Sequence, residues 1–503
     1  MAPQTNGSSY ETYLPKNKGL YYGGAFHEPQ DGELREIISP INGKPITKVA
    51  FAGPKDTVAA LEAAEKAFES WRNVSTVERC KLLRDAAQVI RDHAEDLATL
   101  DALNVGSPIS IMRQEMQYAA MNFDLFAGLV PAVTGETQRL TEDMFHYTIR
   151  EPLGVVARIV AYNHPLLMVA VKLATPIVMG NTVVIKAAEQ APLSALRLME
   201  LIGPLFPPGV INVLAGGKEC GETLSSHPIV KKITLVGSVP IGRAIAKAAA
   251  DTLKLGVFEL GGKNALVAYP DADIPSLVDG IVKGMNWTWC GQSCSSTSRV
   301  FLPHSIHDEV LKLVIEKINA EHLPGDPLDS KTTMGALVDQ KALDRVKKYI
   351  EIGKSEGAKL VLGGHPPESP KDGFYMLPTI FSDVQQSMRI ASEEIFGPVM
   401  CVLKWTDEAE LWKQVNSVEY GLTGSIYASN IATAQKAVRK MEAGYVWVNT
   451  SSTHFLGIPF GGYKQSGKGR EHSLHELYDM TQTKAVHISL EDKVDGPAQP
   501  FKS

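Results

Sequence analysis

Between Val155 and Glu259 the chain alternates short apolar runs with amphipathic stretches, and this pattern restricts its fold more than any other feature of the sequence. VVARIVAY (155–162), NTVVIKAA (181–188), GVINVLAG (209–216), KKITLVG (231–237) and the run around VFELGG read as strands. Between them, PLLMVAVKLATPIVMG (165–180), APLSALRLMELIG (191–203), ECGETLSSH (219–227) and PIGRAIAKAAADTL (240–253) read as helices. Apolar strands separated by helices imply a parallel sheet covered on both faces. No GxGxxG is present, so any nucleotide site here would lack the usual dinucleotide fingerprint.

A second alternating region runs from about Asn264 to Ser466, with strands expected at 265–269, 298–303, 399–405, 424–429 and 445–449. Upstream, Val58, Leu61, Ala64, Phe68 and Trp71 recur at helical spacing within Pro54 to Leu103, and Asp56-Thr57 offers a cap. The first twenty or so residues are polar and read as frayed. Neither an internal repeat nor a low-complexity segment stands out.

With 503 residues, 44% of them hydrophobic, the chain can bury a large core. At roughly 150 residues per domain it suggests about three structural units. The net charge of −6 is mild and no Lys/Arg block breaks the background, which argues against a nucleic-acid partner. The N-terminus has no apolar signal region. The longest apolar stretch, Gly154 to Ala188, is interrupted by Arg158, Asn163, His164, Pro165, Lys172 and Pro176, which argues against a membrane span. Five cysteines in so long a chain suit a reducing compartment better than a disulfide framework. The expectation is a cytoplasmic enzyme.

Two of those cysteines lie in WCGQSCSSTSR (289–299). No CxxC and no second close pair exist to complete a zinc site, so no metal is expected. Taken alone, Cys294 reads more readily as packed and inert than as a nucleophile, which would need an activator, a polarising donor and a base. Candidates for these roles lie at strand ends. Glu259, in FELGGK, is an acid inside an apolar strand; burial there is costly and would raise its pKa toward that of a general base. Asn163, in AYNHP, is placed either as a turn residue or as an oxyanion donor. Lys186 and Glu189 follow a central strand, where open α/β sheets bind ligands, although simple solvation would also explain them.

The succession YNHP with Asn163, KAAE with Lys186 and Glu189, GSVPIG with Gly237, Ser238 and Gly242, FELGGK with Glu259, GQSC with Cys294, EEIFGP with Glu394 and Phe396, and PFGGYKQSG (459–467) with Phe460 resembles the NAD(P)-dependent aldehyde dehydrogenase superfamily. The likeness extends from about Gly19 to His487. It implies an α/β fold with two Rossmann-like open-sheet domains, one for the cofactor and one for catalysis, plus a small β oligomerisation domain. Implied boundaries are 20–129 and 153–263 for the cofactor domain, 264–472 for the catalytic domain, 130–152 and 473–490 for oligomerisation, and flexible tails at 1–19 and 491–503.

The resemblance also assigns roles. Cys294 becomes the nucleophile, Asn163 the oxyanion donor and Glu259 the base, with Lys172 and Glu471 supporting Glu259; Cys290 is left to packing. Lys186 and Glu189 would hold the adenosine ribose, Gly237, Ser238 and Gly242 would approach the pyrophosphate, and Glu394 and Phe396 would flank the nicotinamide ribose. A carboxylate at Glu189 would repel a 2′-phosphate, so NAD is expected over NADP. His164 replaces an aromatic residue common in the family. It is expected in the substrate tunnel with Met168, Val171, Trp287, Thr288, Trp289, Ser452, His454 and Phe460. Small Thr288 and Val171 hint at a wide tunnel for an aromatic or medium-chain aldehyde, while the tryptophans could instead favour a cationic one such as betaine aldehyde. An acylating relative would typically lack Glu259, and an inactive one would have lost Cys294, Glu259 or Asn163. The resemblance further implies a small-molecule aldehyde as substrate, no membrane partner, and a homodimer or homotetramer.

Overall fold

A computed structural model describes residues 10–490 of the chain. The tail expectations for residues 1–9 and 491–503 fall outside the described residues. Residues 10–19 are held rather than frayed, since Asn17 donates its backbone N–H to Glu200 Oε1 at 2.6 Å and Leu14 packs on a small apolar cluster.

The first alternating region forms the expected sheet. Its parallel centre runs Ile211–Ala215, Thr182–Ala187, Val155–Ile159, Val230–Val236 and Leu255–Glu259 in spatial order. Every residue of the first three strands is buried, as strands covered on both faces must be. The antiparallel strands Leu20–Tyr22 and Ala25–His27 extend one edge, and Gly467–Lys468 joins the other from far along the chain. Successive connections leave Val155–Ile159 toward Thr182–Ala187 on one side, whereas Val230–Val236 lies on its other side. The crevice between these directions is where open α/β sheets take ligands.

The second region forms a seven-stranded sheet in the order Lys359–Leu362, Thr379–Ser382, Val399–Trp405, Arg299–Pro303, Ala265–Ala268, Thr423–Tyr427 and Tyr445–Val448. The five strands read from the sequence appear within two residues of their expected ends. Lys359–Leu362 and Thr379–Ser382 were not anticipated from the sequence. A third sheet pairs Thr481–Ser489 with Met144–Pro152 over their full length, with Thr137–Gln138 beyond.

The helical stretch after Pro54 is three helices, Pro54–Trp71, Thr76–Asp92 and Ala94–Val105. The cap of the first differs from expectation. Gly53 is the N-cap, and Asp56 at the third helical position reaches back to accept from the N–H of Gly53 at 3.1 Å and of Gln30 at 2.8 Å. Proline at the first helical position has no N–H to satisfy, so the reciprocal half of a capping box suffices. No helix among the described residues is long and apolar enough to cross a membrane.

Candidate active site

Four strand ends of the first sheet deliver the predicted groups to one edge. Asn163 follows Val155–Ile159, Lys186 sits near the end of Thr182–Ala187, Gly237 and Ser238 follow Val230–Val236, and Glu259 ends Leu255–Glu259. They line a single cleft of about 1100 Å³ together with Glu189, Cys294, Glu394 and Phe396.

Cys294 lies on a loop shaped by left-handed backbone at Asn286, Cys290 and Gly291. A Cβ at Gly291 would come within 2.3 Å of the Gly397 carbonyl, so glycine lets this loop touch the segment that carries Phe396. The Cys294 thiol donates to Glu259 Oε1 at 3.0 Å. Burial, and then the adjacent Glu259 carboxylate, hold the thiol well above its ordinary pKa. Burial likewise raises Glu259, partly opposed by Lys172 and the thiol. Both shifts favour the uncharged form of each group, with the thiol as donor in the bond between them. Cys290 is fully buried among apolar side chains and its pKa is raised by burial, the pattern of a packed cysteine.

Asn163 is buried, with its Nδ2 donating to the Gln292 carbonyl at 3.0 Å. An amide nitrogen has two protons, so one stays available. Among the described residues the Cys294 backbone N–H donates to no backbone carbonyl, which leaves the loop a second donor facing the thiol. Lys172 and Glu471 form a buried ion pair, with Arg158 3.9 Å from Glu471. Burial would raise Glu471, but Lys172 and Arg158 outweigh it and hold it down to about 2. This pair bears on Glu259 through charge rather than by a direct hydrogen bond.

The cleft suits a dinucleotide chemically. Gly237 and Ser238 open the helix Val239–Ala250, whose first N–H groups favour a phosphate. Glu394 is held by the Gly262 N–H at 3.1 Å, and burial raises its pKa to about 7. It can sit there only because Gly261 lacks a side chain, since a Cβ would meet Glu394 Oε2 at 2.0 Å. Phe396, in left-handed backbone, packs edge-on to Tyr162 with centroids 5.9 Å apart. Arg345 fixes this segment by donating to the carbonyls of Ile395 at 2.9 Å and Phe396 at 3.3 Å. Burial lowers the pKa of Lys186, and Glu189 opposes that shift. Glu189 also pairs with Arg35 at 3.3 Å, a cation that the sequence reading overlooked. Gly242 does not line the cleft. A Cβ there would press on Leu260 at 2.8 Å, so its role is close helix–strand packing.

The expected tunnel residues divide. His454 packs against Tyr445, Trp447 and Phe460 at centroid distances of 5.2–5.7 Å, with its Nε2 3.5 Å from Ser295 Oγ. Burial lowers its pKa to about 4, so it is neutral. His164 and Trp289 pack together with centroids 5.4 Å apart. Met168 and Thr288 are half-buried, and Val171 is buried on the same helix as Lys172. Ser452 donates to Asn286 Oδ1 at 2.7 Å and so braces the cysteine loop. Trp287 departs from expectation. It is 1% exposed and belongs to the apolar layer of Met285, Ile281 and Val300 beneath the second sheet, because a three-residue turn of helix points neighbouring side chains in different directions. The sequence reading missed Glu115, a buried acid that bonds both His164 and Trp289. The available signal was its position on the apolar stripe Met112, Met116, Ala119, Phe123.

A thiol hydrogen-bonded to a buried carboxylate, at the end of a cleft built for a nucleotide, is what an oxidoreductase working through its cysteine requires. The profile of the aldehyde dehydrogenase family matches residues 26–486, and the chain belongs to that family. It is 49% identical over 498 residues to aldehyde dehydrogenase tropH of Talaromyces stipitatus, covering 97% of this chain and 96% of that one. It is 40% identical over 481 residues to a betaine aldehyde dehydrogenase of Agrobacterium fabrum, covering 95% and 97%. Among solved structures, betaine aldehyde dehydrogenase of Staphylococcus aureus in complex with NAD+ superposes with a TM-score of 0.93 at 32% identity, covering 98% of each chain. The NAD+ complex of a Bacillus cereus aldehyde dehydrogenase gives 0.92 at 34% identity, covering 96% and 98%. The fold is that of these enzymes, with parallel-sheet, Rossmann-like domains.

Proposed function

We propose that this member of the family oxidises an aldehyde to a carboxylate with NAD, through a covalent bond to Cys294. The observation that carries the reading is the 3.0 Å hydrogen bond from the Cys294 thiol to Glu259 in the cleft. Glu259 takes the thiol proton as sulfur bonds to the aldehyde carbon. The remaining amide proton of Asn163 and the Cys294 N–H stabilise the oxyanion. NAD, when bound in the cleft, supplies the hydride acceptor. The carbon is left as a thioester on Cys294. Glu259, having released its proton to solvent, then deprotonates a water that adds to the thioester carbon; the C–S bond breaks, the carboxylate leaves and the sulfur returns as the thiolate of Cys294. Lys172 stabilises the ionised Glu259 by charge, and its partner Glu471 opposes this in part.

The aromatic cluster around His454 supports an aromatic or medium-chain apolar aldehyde. The betaine aldehyde dehydrogenases among the relatives favour a second reading, a cationic aldehyde. In either case, NADH should form with an aldehyde panel and need no coenzyme A. A strict requirement for coenzyme A would overturn the hydrolytic reading. The segments assigned above on family resemblance would divide the work, with residues 20–129 and 153–263 holding cofactor and 264–472 supplying Cys294. Five free cysteines are consistent with a cytoplasmic location.

For cofactor choice, Glu189 should favour NAD. Glu189→Gln leaves Arg35 paired only with Glu33, so it should narrow the ratio of kcat/KM for NAD over NADP by at least about tenfold, the loss of about 1.4 kcal/mol of discrimination. A parent enzyme that prefers NADP would refute the assignment.

Among the described residues Thr481–Ser489 is the outermost strand of its sheet, and Phe145, Ile149 and Ile488 on this sheet are exposed. Such an edge invites association unless a partner covers it. A dimer or tetramer is therefore expected by light scattering, and a strict monomer at micromolar concentration would contradict it.

A further inference from the structure

The proposed reaction leaves the buried carboxylate of Glu115 without a role. Glu115, on the helix Ile109–Leu129, accepts through Oε1 from two rings, His164 Nδ1 at 2.7 Å and Trp289 Nε1 at 2.8 Å. Its Oε2 is buried and has no partner among the described residues. Donation from Nδ1 to a carboxylate fixes the ring orientation and leaves Nε2 as the free polar atom of His164. That side chain keeps 17% of its surface open.

The ring stands beside the reacting groups. His164 directly follows Asn163, and its charge acts on both Glu259 and His454. Tyr118, about one turn beyond Glu115 on the same helix, has a buried hydroxyl with no partner among the described residues. It is coupled electrostatically to Tyr445, the ring that packs 5.7 Å from His454. A buried polar atom is costly to leave unpaired, so the Tyr118 hydroxyl calls for a ligand that bonds it.

We propose that His164, positioned by Glu115, and Tyr118 recognise the ring hydroxyl of an aromatic aldehyde, making hydroxyaryl aldehydes the preferred substrate class. The inference rests on the dehydrogenase reading above and narrows its substrate. A phenolic hydroxyl both donates and accepts, so it can bond His164 Nε2 and the Tyr118 hydroxyl together. A quaternary ammonium can do neither. Burial disfavours a proton on His164, but Glu115 outweighs it and raises the pKa, which makes Nε2 more basic and a stronger acceptor for a phenolic O–H.

The test compares kcat/KM with NAD for 3- and 4-hydroxybenzaldehyde against 3- and 4-methylbenzaldehyde, pairs matched in shape but not in hydrogen bonding. At least one hydroxy isomer should win by about tenfold or more, since a site built to bond a hydroxyl discriminates strongly against its absence. His164→Phe, Tyr118→Phe and Glu115→Ala should each shrink that ratio, and Glu115→Gln, which still accepts from His164, should restore part of it. A wild-type ratio below about tenfold for both isomers, or a preference for betaine aldehyde, overturns the proposal whether or not the variants fold. A ratio unchanged in His164→Phe and Tyr118→Phe overturns it as well. Oxidation of methylbenzaldehydes without a hydroxyl preference removes this inference alone. Failure to oxidise any aldehyde removes the dehydrogenase reading with it.

Discussion

The Cys294→Ala enzyme is expected to bind NAD as the parent does and to lose at least about a thousandfold in turnover, because a group acting as nucleophile has no substitute nearby. The hydride can leave only from a tetrahedral, electron-rich carbon, and in the proposed reaction the sulfur creates that centre. Cys290 cannot stand in, since it is fully buried among apolar neighbours and makes no bond to Glu259. Cys290→Ala should therefore cost little turnover and serves as the control. The cofactor contacts expected at Lys186, Glu189 and Glu394 do not involve the thiol, so a fluorescence titration with NAD should give a similar affinity in Cys294→Ala. Retention of even about a tenth of the parent rate would remove Cys294 from the chemistry. The same geometry sets a pH limb. Burial raises Glu259, and it must be ionised to take the thiol proton, so kcat/KM should climb with pH through a value above the ordinary carboxylate range.

The parts of this molecule that could be read from sequence are those where chemistry conflicts with its surroundings. Glu259 in an apolar strand, Asn163 at a strand end and Lys186 near the end of another are polar groups in apolar runs, and all three face the cleft. Short apolar strands alternating with helices likewise determine a parallel sheet. What stayed hidden depends on direction rather than identity. Trp287 and Trp289 are two residues apart, yet one enters the core and the other meets Glu115, and only the turn between them decides which. Glu115 sits in an ordinary amphipathic helix, and its partners lie 49 and 174 positions away. Arg35 reaches Glu189 across 154 positions, so this pairing had no local trace.

Stability has its own concealed centre behind the active site. Arg158 is wholly buried, 3.1 Å from Glu476, whose other oxygen accepts from the His472 N–H at 2.8 Å. Thr175 joins them, donating to Glu476 at 2.7 Å and accepting from Arg158 at 2.9 Å. Removing one partner of a buried pair leaves an uncompensated charge, so Glu476→Ala should destabilise the chain by about 3–5 kcal/mol, read as a fall in the urea midpoint. A change under about 1 kcal/mol would mean that water already solvates Arg158. Replacing both charges, as Arg158→Met with Glu476→Leu, should recover part of the loss, because no charge is then stranded. The defect should also reach the chemistry. Without Glu476, the nearest carboxylate to Arg158 is Glu471, 3.9 Å away and already paired with Lys172. Drawing Glu471 toward Arg158 loosens Lys172, whose charge opposes the rise in the pKa of Glu259. The direction of the resulting shift depends on where the freed Lys172 settles. If it moves toward Glu259, the acid limb of kcat/KM falls to lower pH; if it moves away, the limb rises. A limb that does not move at all, in a variant that is measurably less stable, would separate the buried pair from the reaction.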